Sequence, residues 1–303
     1  MGSVTFAIIG DLHVGSVIDE VPTFVRLVNR LPVDFALFMG DLVHEATDAN
    51  VETLGHELRR LKKPYYLTLG NHDTGNMSSG YNVERKIRDV LPGIWNESFT
   101  YNFRAGDWNF IVAGMGTFRV EQIGFQVHHR KGFICERGYM NRLVGDHAIR
   151  LQKLLEASGD TPTVLTLHVP LIRMSRRIYK RGCYEQVRLL EEPQILALLD
   201  EHPNVRVVLS GHNHFNQVEV LNDAIHCVTQ SVKAYGPYGD PNGIRIMELT
   251  ENSVHSYMLW EDSSKEPAAE IGTLQGDRSF EWHWPVPVKN SAVFSRPLQT
   301  SDA

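Results

Sequence analysis

Residues 64–73 read Pro-Tyr-Tyr-Leu-Thr-Leu-Gly-Asn-His-Asp, and the abrupt change of character inside this stretch decides the fold. Apolar or β-favouring residues fill the first part, and Asn71, His72 and Asp73 then bring an amide, an imidazole and a carboxylate. A buried strand that served only to pack the core would continue with apolar residues. A strand that ends in three polar groups makes those groups available for binding or catalysis. Such residues also cap turns, so this stretch alone leaves a turn and a functional site both open.

Four other apolar stretches predict strands that end in the same way, at 4–9, 34–39, 163–167 and 205–209. The polar residues after these strands are Asp11 and His13, Asp41, His168, and His212 and His214. Helical apolar spacing between the early strands, as at 51–61, predicts crossovers and parallel pairing. Because the carboxyl ends of parallel strands lie along one edge of a sheet, we expect all five strand ends to meet there.

The ligand types at these strand ends predict a metal centre. Their imidazoles, carboxylates and amide are too many for one ion and about right for two. Without thiolates, such a set suits Mn, Fe or Zn better than Cu(I) or a structural zinc. Two ions about 3.5–4 Å apart form a clamp for phosphoryl displacement. A carboxylate is the natural bridge because each oxygen reaches one ion, and Asp41 suits that role. Any one of these residues is commonly a turn residue, but five such strand ends favour a site.

Composition limits the classes of protein to consider. The chain has 303 residues, 42% hydrophobic and 22% charged, as in a soluble globular protein. A net charge of −6 disfavours a nucleic-acid-coating function. Three scattered cysteines argue against a disulfide framework or structural zinc site. No stretch resembles a signal peptide or reaches the ~18 apolar residues of a membrane span, so we expect a cytoplasmic protein without a membrane partner.

Three regions have no clear period or carry unusual composition. Residues 115–145 read as a long loop or partly helical excursion, whose aromatic side chains either stack on a substrate base or pack in the core. The basic stretch 172–188 either guards the mouth of a site and binds phosphate or forms a solvated face. Residues 1–260 are predicted to form one catalytic domain, and 261–303 an extension that packs on the body or a neighbouring subunit, which is compatible with a homodimer. The histidines without strand-end context are predicted to be ordinary surface or loop residues; they are His128, His129 and His147.

The order of the motifs resembles the calcineurin-like metallophosphoesterase superfamily. Its pattern is Asp-x-His, Gly-Asp, Gly-Asn-His-(Glu/Asp), a later His, and Gly-His-x-His. The matching segments here are 10–13, 40–41, 70–73, His168 and 211–214. The resemblance runs from about residue 4 to 260, and the wording is most similar to class III cyclic-nucleotide phosphodiesterases and related small-diester hydrolases. It implies an α/β fold, a four-layer α/β/β/α sandwich of the metallophosphoesterase type, with the active site at the carboxyl ends of the strands.

The resemblance also implies roles for individual residues. Seven ligands are divided between two ions that share one carboxylate. They are Asp11, His13 and His214 for the first ion, Asn71, His168 and His212 for the second, and Asp41 for both. His72 is implied to contact the substrate phosphate and to protonate the leaving oxygen, and Asp73 to orient His72 by accepting its other N–H.

The implied function is hydrolysis of P–O bonds by a dinuclear centre, through attack of a metal-bridging hydroxide. Two divalent or trivalent ions are expected, with Mn or Fe/Mn favoured over Zn. The substrate is expected to be a small phosphate ester, most of all a small phosphodiester such as a nucleotide or cyclic nucleotide. One alternative is a phosphomonoesterase of the same superfamily. A non-catalytic scaffold is less favoured because every ligand position is filled, and a DNA-processing nuclease because the chain is acidic and has no long added capping domain.

Overall fold

Two β-sheets stack face to face in the middle of the molecule, and helices cover both outer faces. The predicted four-layer α/β/β/α sandwich is therefore confirmed. The computed structural model describes residues 2–16, 21–74, 83–91, 98–120, 138–143, 146–172, 189, 191–214, 216–232, 243–261, 271–273 and 280–283.

The strands and helices follow each other closely along the chain. In chain order the strands are β1 (Val4–Ile9), β2 (Phe35–Phe38), β3 (Tyr65–Leu67), β4 (Tyr101–Ala105), β5 (Trp108–Val112), β6 (Gly116–Val120), β7 (Gly138–Arg142), β8 (Thr163–Thr166), β9 (Val205–Ser210), β10 (Gln217–Leu221), β11 (Ala224–Val228), β12 (Ile244–Leu249), β13 (Ser253–Glu261), β14 (Ile271–Thr273) and β15 (Phe280–His283). The helices are α1 (Val21–Arg30), α2 (Asp48–Leu58), α3 (Asn71–Thr74), α4 (Val83–Val90), α5 (His147–Ser158) and α6 (Glu192–Glu201).

The first sheet has the order β14-β13-β12-β1-β2-β3, with β15 also paired to β13. The second sheet has the order β10-β11-β9-β8-β5-β4. In the first sheet β1, β2 and β3 run parallel, and in the second β5, β8, β9 and β11 run parallel. A separate two-stranded sheet pairs β6 with β7.

Apolar side chains fill the three spaces between the four layers. Between the sheets, aromatic rings stack edge to face, as Phe6 does on Phe110 with ring centroids 5.3 Å apart. Helix α1 turns its buried residues Val21, Phe24 and Val28 toward the outer face of the first sheet, at the spacing of a helical stripe. Helices α5 and α6 cover the second sheet in the same manner. These contacts hold the strand ends in fixed relative positions.

The five strand ends predicted to form a site come from both sheets. Strands β1, β2 and β3 of the first sheet and β8 and β9 of the second end at one rim of the sandwich. Backbone hydrogen bonds tie the loops there together, because the His13 N–H donates to the Asp41 carbonyl at 2.8 Å and the Gly211 N–H to the His168 carbonyl at 2.9 Å. The rim is thus a rigid frame on which polar side chains can be placed.

Two regions without a clear sequence period contain strands. The ends of the 115–145 excursion form the hairpin β6–β7, so this region is neither a plain loop nor helical at its ends, while 121–137 lie outside the described residues. In the predicted extension, β14 and β15 both pair with β13 and widen the first sheet. The boundary between the predicted catalytic domain and the extension stays a prediction, as does a homodimer. Most of the basic stretch, 173–188, also lies outside the described residues.

His147 is a correction to the sequence prediction. It is not a surface residue: only 5% of it is exposed. Its Nδ1 lies 2.8 Å from Thr100 Oγ1 and its Nε2 lies 3.2 Å from Glu84 Oε1. The side chain therefore joins three segments in the interior. His128 and His129 lie outside the described residues.

Candidate metal centre

Two groups of ligating side chains lie at the rim of the sandwich, and they share Asp41. In each group the potential ligand atoms lie within 4.8 Å of one another. The first group comprises Asp11, His13, Asp41 and His214, and the second comprises Asp41, His168 and His212. The Asn71 amide joins the second group, because its Oδ1 lies 3.1 Å from His168 Nε2. The folded chain thus brings all seven predicted ligands to one place.

The carboxylate of Asp41 turns one oxygen toward each group. Its Oδ2 lies 3.9 Å from His13 Nε2, and its Oδ1 lies 3.3 Å from His168 Nε2. The Oδ1 atom also accepts the backbone N–H of His72 at 2.8 Å. An oxygen on each side is the arrangement that a bridging carboxylate requires.

Hydrogen bonds fix which nitrogen of His168 faces the centre. Its Nδ1 lies 2.6 Å from the carbonyl oxygen of Met39, which can only accept, so Nδ1 carries the proton. Nε2 is then the ring nitrogen that is turned toward Asn71 and Asp41. A backbone carbonyl that orients a histidine in this way is a common outer contact of metal ligands.

Five of the candidate ligands have left-handed backbones. The φ angles are 48° at Asp11, 47° at His13, 48° at Asp41, 66° at His212 and 57° at His214. A non-glycine residue rarely adopts such angles, and each instance costs on the order of 1–3 kcal/mol. The strand ends therefore carry backbone strain that packing elsewhere sustains, and such strain is typical of functional sites.

Two glycines beside the centre, Gly40 and Gly70, allow the close approach of its ligands. A Cβ atom on Gly70 would lie 2.2 Å from Asp41 Oδ1 and 2.8 Å from His168 Cε1. Gly40 has φ +87°, and a Cβ there would lie 2.6 Å from His168 Nδ1. These glycines are required at their positions because any side chain would displace a ligand.

The three polar residues that follow β3 have different surroundings. The Asn71 amide faces His168, as described. His72 is half-buried, and its Nδ1 lies 2.6 Å from the backbone carbonyl oxygen of His44, so that nitrogen donates its hydrogen there. The His72 ring lies edge to face against His13, with ring centroids 4.6 Å apart. The remaining nitrogen, Nε2, is the one that can hold or deliver a proton.

Asp73 does not orient His72, and this corrects the sequence prediction. Its fully buried carboxyl group accepts the backbone N–H of Val43 at 2.9 Å and that of Gly70 at 2.7 Å. The physical reason is helical geometry. Both residues lie in α3, and consecutive side chains of a helix point in different directions. Asp73 joins the loop after β2 to the loop after β3, and the His44 carbonyl takes over the orientation of His72.

His44 is a member of the centre that the sequence reasoning missed. Its ring stacks on that of His72, with centroids 5.4 Å apart, and lies 5.6 Å from that of His13. His13, His44 and His72 offer nitrogens within 4.8 Å of one another. The available signal was the position of His44 three residues after Asp41, at the end of the same strand.

Burial and charge set the protonation states around the centre. Burial lowers the pKa of His212 to about 3 and that of His13 to about 4, so both rings are neutral at pH 7. Burial alone would also lower the pKa of His168, but the Asp41 carboxylate raises it to about 9. Burial would raise the pKa of Asp41, yet the nearby histidines, His168 above all, hold it well below its usual range. Burial and the Asp41 charge raise the pKa of Asp73 to about 8.

Buried atoms without hydrogen-bond partners test whether this donor set fits metal ions. Among the described residues, Asp11 Oδ2 and both ring nitrogens of His212 are buried and make no hydrogen bond. Buried polar atoms are nearly always satisfied, and a ligand atom of a metal is a principal exception. The neutral imidazoles and the ionised carboxylates are also the forms that bind metal. The residues present therefore fit a pair of transition-metal ions.

Comparison with known proteins agrees with this geometry. A family model described as calcineurin-like phosphoesterase matches residues 4–216, which is more than half of the chain. The chain belongs to the calcineurin-like phosphoesterase family. This family depends on two metal ions, and the two ligand groups that share Asp41 agree with that dependence.

Named relatives within the family are distant. A 3′,5′-cyclic-nucleotide phosphodiesterase from Nostoc is 25% identical over 65% of this chain and 64% of its own length. A transmembrane protein with a metallophosphoesterase domain from Bos taurus is 28% identical over 75% of this chain and 44% of its own length. The chain therefore spans less than two thirds of either relative. Within the described part of this chain, none of the helices is long and apolar enough to cross a membrane.

A solved structure supports the fold. The crystal structure of a dimetal phosphatase from Danio rerio superposes with a TM-score of 0.57, covering 89% of this chain and 98% of the other, at 14% sequence identity. Similarity at this level of identity concerns the arrangement of strands and helices. The sandwich and its rim are therefore shared architecture.

Proposed function

We propose that this protein hydrolyses small phosphodiesters, including cyclic nucleotides, at a centre of two transition-metal ions. The observation that carries the proposal is the position of Asp41, whose two oxygens face two separate groups of imidazoles. A shared carboxylate between two such groups is what a two-metal clamp for phosphoryl displacement requires.

The proposed ligands follow from the distances within each group. The first ion is held by Asp11, His13 and His214, the second by Asn71, His168 and His212, and Asp41 contributes to both. Bound ions would supply Lewis-acid stabilisation of the phosphoryl oxygens and lower the pKa of a coordinated water. The chain itself supplies neutral imidazoles at His13 and His212, because burial holds their pKa values at about 4 and about 3.

His72 is proposed as the residue that protonates the leaving oxygen. The His44 carbonyl accepts the Nδ1 hydrogen of His72 and so fixes the orientation of the ring. Only Nε2 is then left to hold a proton and deliver it to the departing alkoxide. The contact of the ring with His13 keeps it beside the first ligand group. We therefore propose that His72 contacts the substrate and does not bind a metal ion.

Support for a small diester comes from two directions. The Nostoc relative is named a 3′,5′-cyclic-nucleotide phosphodiesterase. The net charge of −6 disfavours long nucleic acids, whose binding depends on neutralising many phosphates. A phosphomonoesterase activity is the alternative that the substrate panel below separates.

The test is a panel of diesters, cyclic nucleotides and monoesters, assayed with added Mn²⁺ on wild type, Asp41→Asn and His72→Ala. Asp41→Asn should lose metal and activity together, because both ions depend on this carboxylate. His72→Ala should retain two ions and lose turnover by about 10²–10⁴-fold, the usual contribution of a general acid. Metal content is read by elemental analysis. His56→Ala, at a side chain that is 71% exposed, is the control and should behave as wild type.

The leaving group distinguishes an acid from a merely structural residue. A nitrophenolate leaves without a proton, so His72→Ala should be impaired much less on bis-nitrophenyl phosphate than on a cyclic nucleotide. Loss of metal from His72→Ala would refute its assignment. A preference for monoesters across the panel would replace the proposed diester specificity.

A further inference from the structure

A fully buried arginine lies between the two sheets, below the metal centre. Arg245 is on β12 and is 0% exposed. It pairs with Ile8 on β1, three residues before Asp11. Its charge is felt by the thiol of Cys227 on β11 of the opposite sheet, where it opposes the increase in pKa that burial causes. The guanidinium is therefore positioned between the layers that carry the two halves of the site.

The guanidinium is anchored at one end to the first sheet. Its Nη1 donates to Ser256 Oγ on β13 at 2.9 Å, and Ser256 Oγ in turn donates to the carbonyl of Ile246 at 3.1 Å. Both partners belong to strands next to or on β12. This end of the side chain thus moves with the first sheet.

The other end reaches the loop that carries two candidate ligands. Nη2 donates to Asn216 Oδ1 at 2.9 Å. Asn216 lies two residues after His214 and one residue before β10, which belongs to the second sheet. The planar guanidinium of an arginine presents its donors in a rigid fork, so it can hold two acceptors in a fixed relative position. Arg245 therefore connects the first sheet to the loop after β9.

This connection spans the point at which the first ion would be held by residues from different sheets. Asp11 Oδ1 lies 3.4 Å from His214 Nε2 and accepts the backbone N–H of His212 at 3.1 Å. Asp11 belongs to the end of β1, and His214 to the loop after β9. The separation of these two elements sets the spacing of the ligands.

We propose that Arg245 is a positioning residue that acts through Asn216 to hold the His214 loop against the sheet that bears Asp11. The inference rests on the proposed two-metal function. Stability alone does not account for this arginine, because taking a charge out of water costs several kcal/mol and an apolar side chain of similar volume fills such a space at least as well. Arg245 is therefore assigned to fixing the relative positions of Asp11 and His214.

The experiment compares Arg245→Met and Asn216→Ala with a matched control, Ser256→Ala. Ser256 accepts from the same guanidinium but contacts only the first sheet, to which the β12 backbone already holds Arg245 without this hydrogen bond. Each full-length protein is stripped of metal and titrated with Mn²⁺ in a calorimeter, and its thermal unfolding is recorded without metal. Both test variants should bind one of the two ions about 10- to 100-fold more weakly, as is usual when an outer contact of a ligand is removed. Ser256→Ala should bind both ions as wild type does.

Asn216→Asp keeps the inference falsifiable if Arg245→Met fails to fold. Asn216→Asp retains an oxygen that accepts from Arg245 and should therefore bind Mn²⁺ with wild-type affinity. Where Arg245→Met folds, the double variant Arg245→Met/Asn216→Ala should bind Mn²⁺ no more weakly than either single variant. Each single substitution already breaks the same hydrogen bond between the two side chains. Unchanged Mn²⁺ affinity in Asn216→Ala, or a change in unfolding temperature alone, would overturn the positioning role. A wild-type protein that binds no Mn²⁺ would overturn the proposed function itself, and the positioning role with it.

Discussion

At the scale of single residues, the strictest requirement of the centre is the missing side chain at Gly70. A Cβ there would lie 2.2 Å from Asp41 Oδ1, so Gly70→Ala must push the shared carboxylate or the loop aside. We expect this variant to lose at least about tenfold in Mn²⁺ affinity, in line with other losses of ligand orientation. The measurement is calorimetric titration of the metal-stripped protein.

Gly159→Ala is the control for that substitution. Gly159 has a positive φ, +54°, but a Cβ there would have nothing within 4 Å. Alanine at this helix end should cost about 1–3 kcal/mol of unfolding free energy, because its backbone would be held at φ 54° and ψ −130°, and it should leave Mn²⁺ affinity unchanged. Equal affinities in the two variants would show that the space around Gly70 is not limiting.

Asp73→Asn tests the correction to the role of Asp73. An asparagine can accept only one of the two backbone N–H groups, from Val43 and Gly70, and turns an NH₂ toward the other. We expect a loss of about 1–3 kcal/mol in unfolding free energy, measured by urea titration. If Asp73 instead oriented His72, the substitution would change turnover with no change in stability.

The chemistry of the ligands could be predicted from single residues, but their contacts could not. The types and order of the side chains from Asp11 to His214 suffice to indicate two ions, because each metal class prefers particular donor atoms. Which group Asp73 contacts depends on the direction of consecutive side chains in α3, a short helix that no periodicity reveals. The same holds for the His44 carbonyl, since a backbone atom carries no sequence signature.

At the scale of elements, a side chain from the other sheet forms hydrogen bonds with backbone groups of the edge strand β3. The Tyr101 hydroxyl on β4 donates to the Leu67 carbonyl at 2.9 Å and accepts the Leu67 N–H at 3.1 Å. Tyr101→Phe leaves both backbone groups without this partner at a buried position. We expect about 1–3 kcal/mol of destabilisation in urea unfolding.

Tyr66→Phe, on β3 itself, is the comparison for Tyr101→Phe. The Tyr66 ring stacks on Phe103, a contact that phenylalanine preserves. Its unfolding free energy should stay within about 0.5 kcal/mol of wild type, as for substitutions away from buried networks. A similar loss in both variants would mean that the Tyr101 hydroxyl does not secure the edge.

Elements with strong periodicity could be predicted, and short edge elements could not. Buried strands such as β1 and β2 are nearly continuous apolar runs, which the sequence displays directly. Strands β6 and β7 are separated by a long stretch of sequence, so a local sequence pattern does not reveal that they pair. Strands β14 and β15 are held by the edge of β13 and not by their own pattern. The burial of His147 likewise follows from tertiary contacts with Thr100 and Glu84.

At the scale of the whole molecule, the site exists because two sheets end at one rim. Parallel strands predict a common edge within one sheet, and the β-rich second half together with the family resemblance predicts the sandwich. The division of the five ends between the sheets, three from one and two from the other, depends on strand order, which crossover lengths alone do not specify. A cytoplasmic location stays a prediction.

Protein stripped of metal should become less stable as the pH rises from 6.5 to 9. Folding raises the pKa of His168 from 6.5 to about 9, so its contribution is complete below pH 6.5 and is lost as the pH passes through the folded value. The raised pKa of Asp73, from 3.8 to about 8, acts in the same direction over its own range. Urea unfolding at pH 6.5 and at pH 9 measures the difference.

Protein loaded with Mn²⁺ is the control for this pH dependence. A cation beside His168 takes the place of the proton, so the loaded protein should lose less stability over the same interval. Stability that rises with pH in the stripped protein would contradict the assignment of a charged His168 beside Asp41.

The left-handed backbone at His214 has a consequence for protein engineering. Glycine adopts φ 57° without steric cost, so His214→Gly removes strain at the same time as a candidate ligand. A selection for thermal stability alone would therefore favour glycine at this position and discard metal binding. The candidate ligand is thus kept at the expense of stability that the chain could otherwise gain, a conflict that selection for heat resistance would expose.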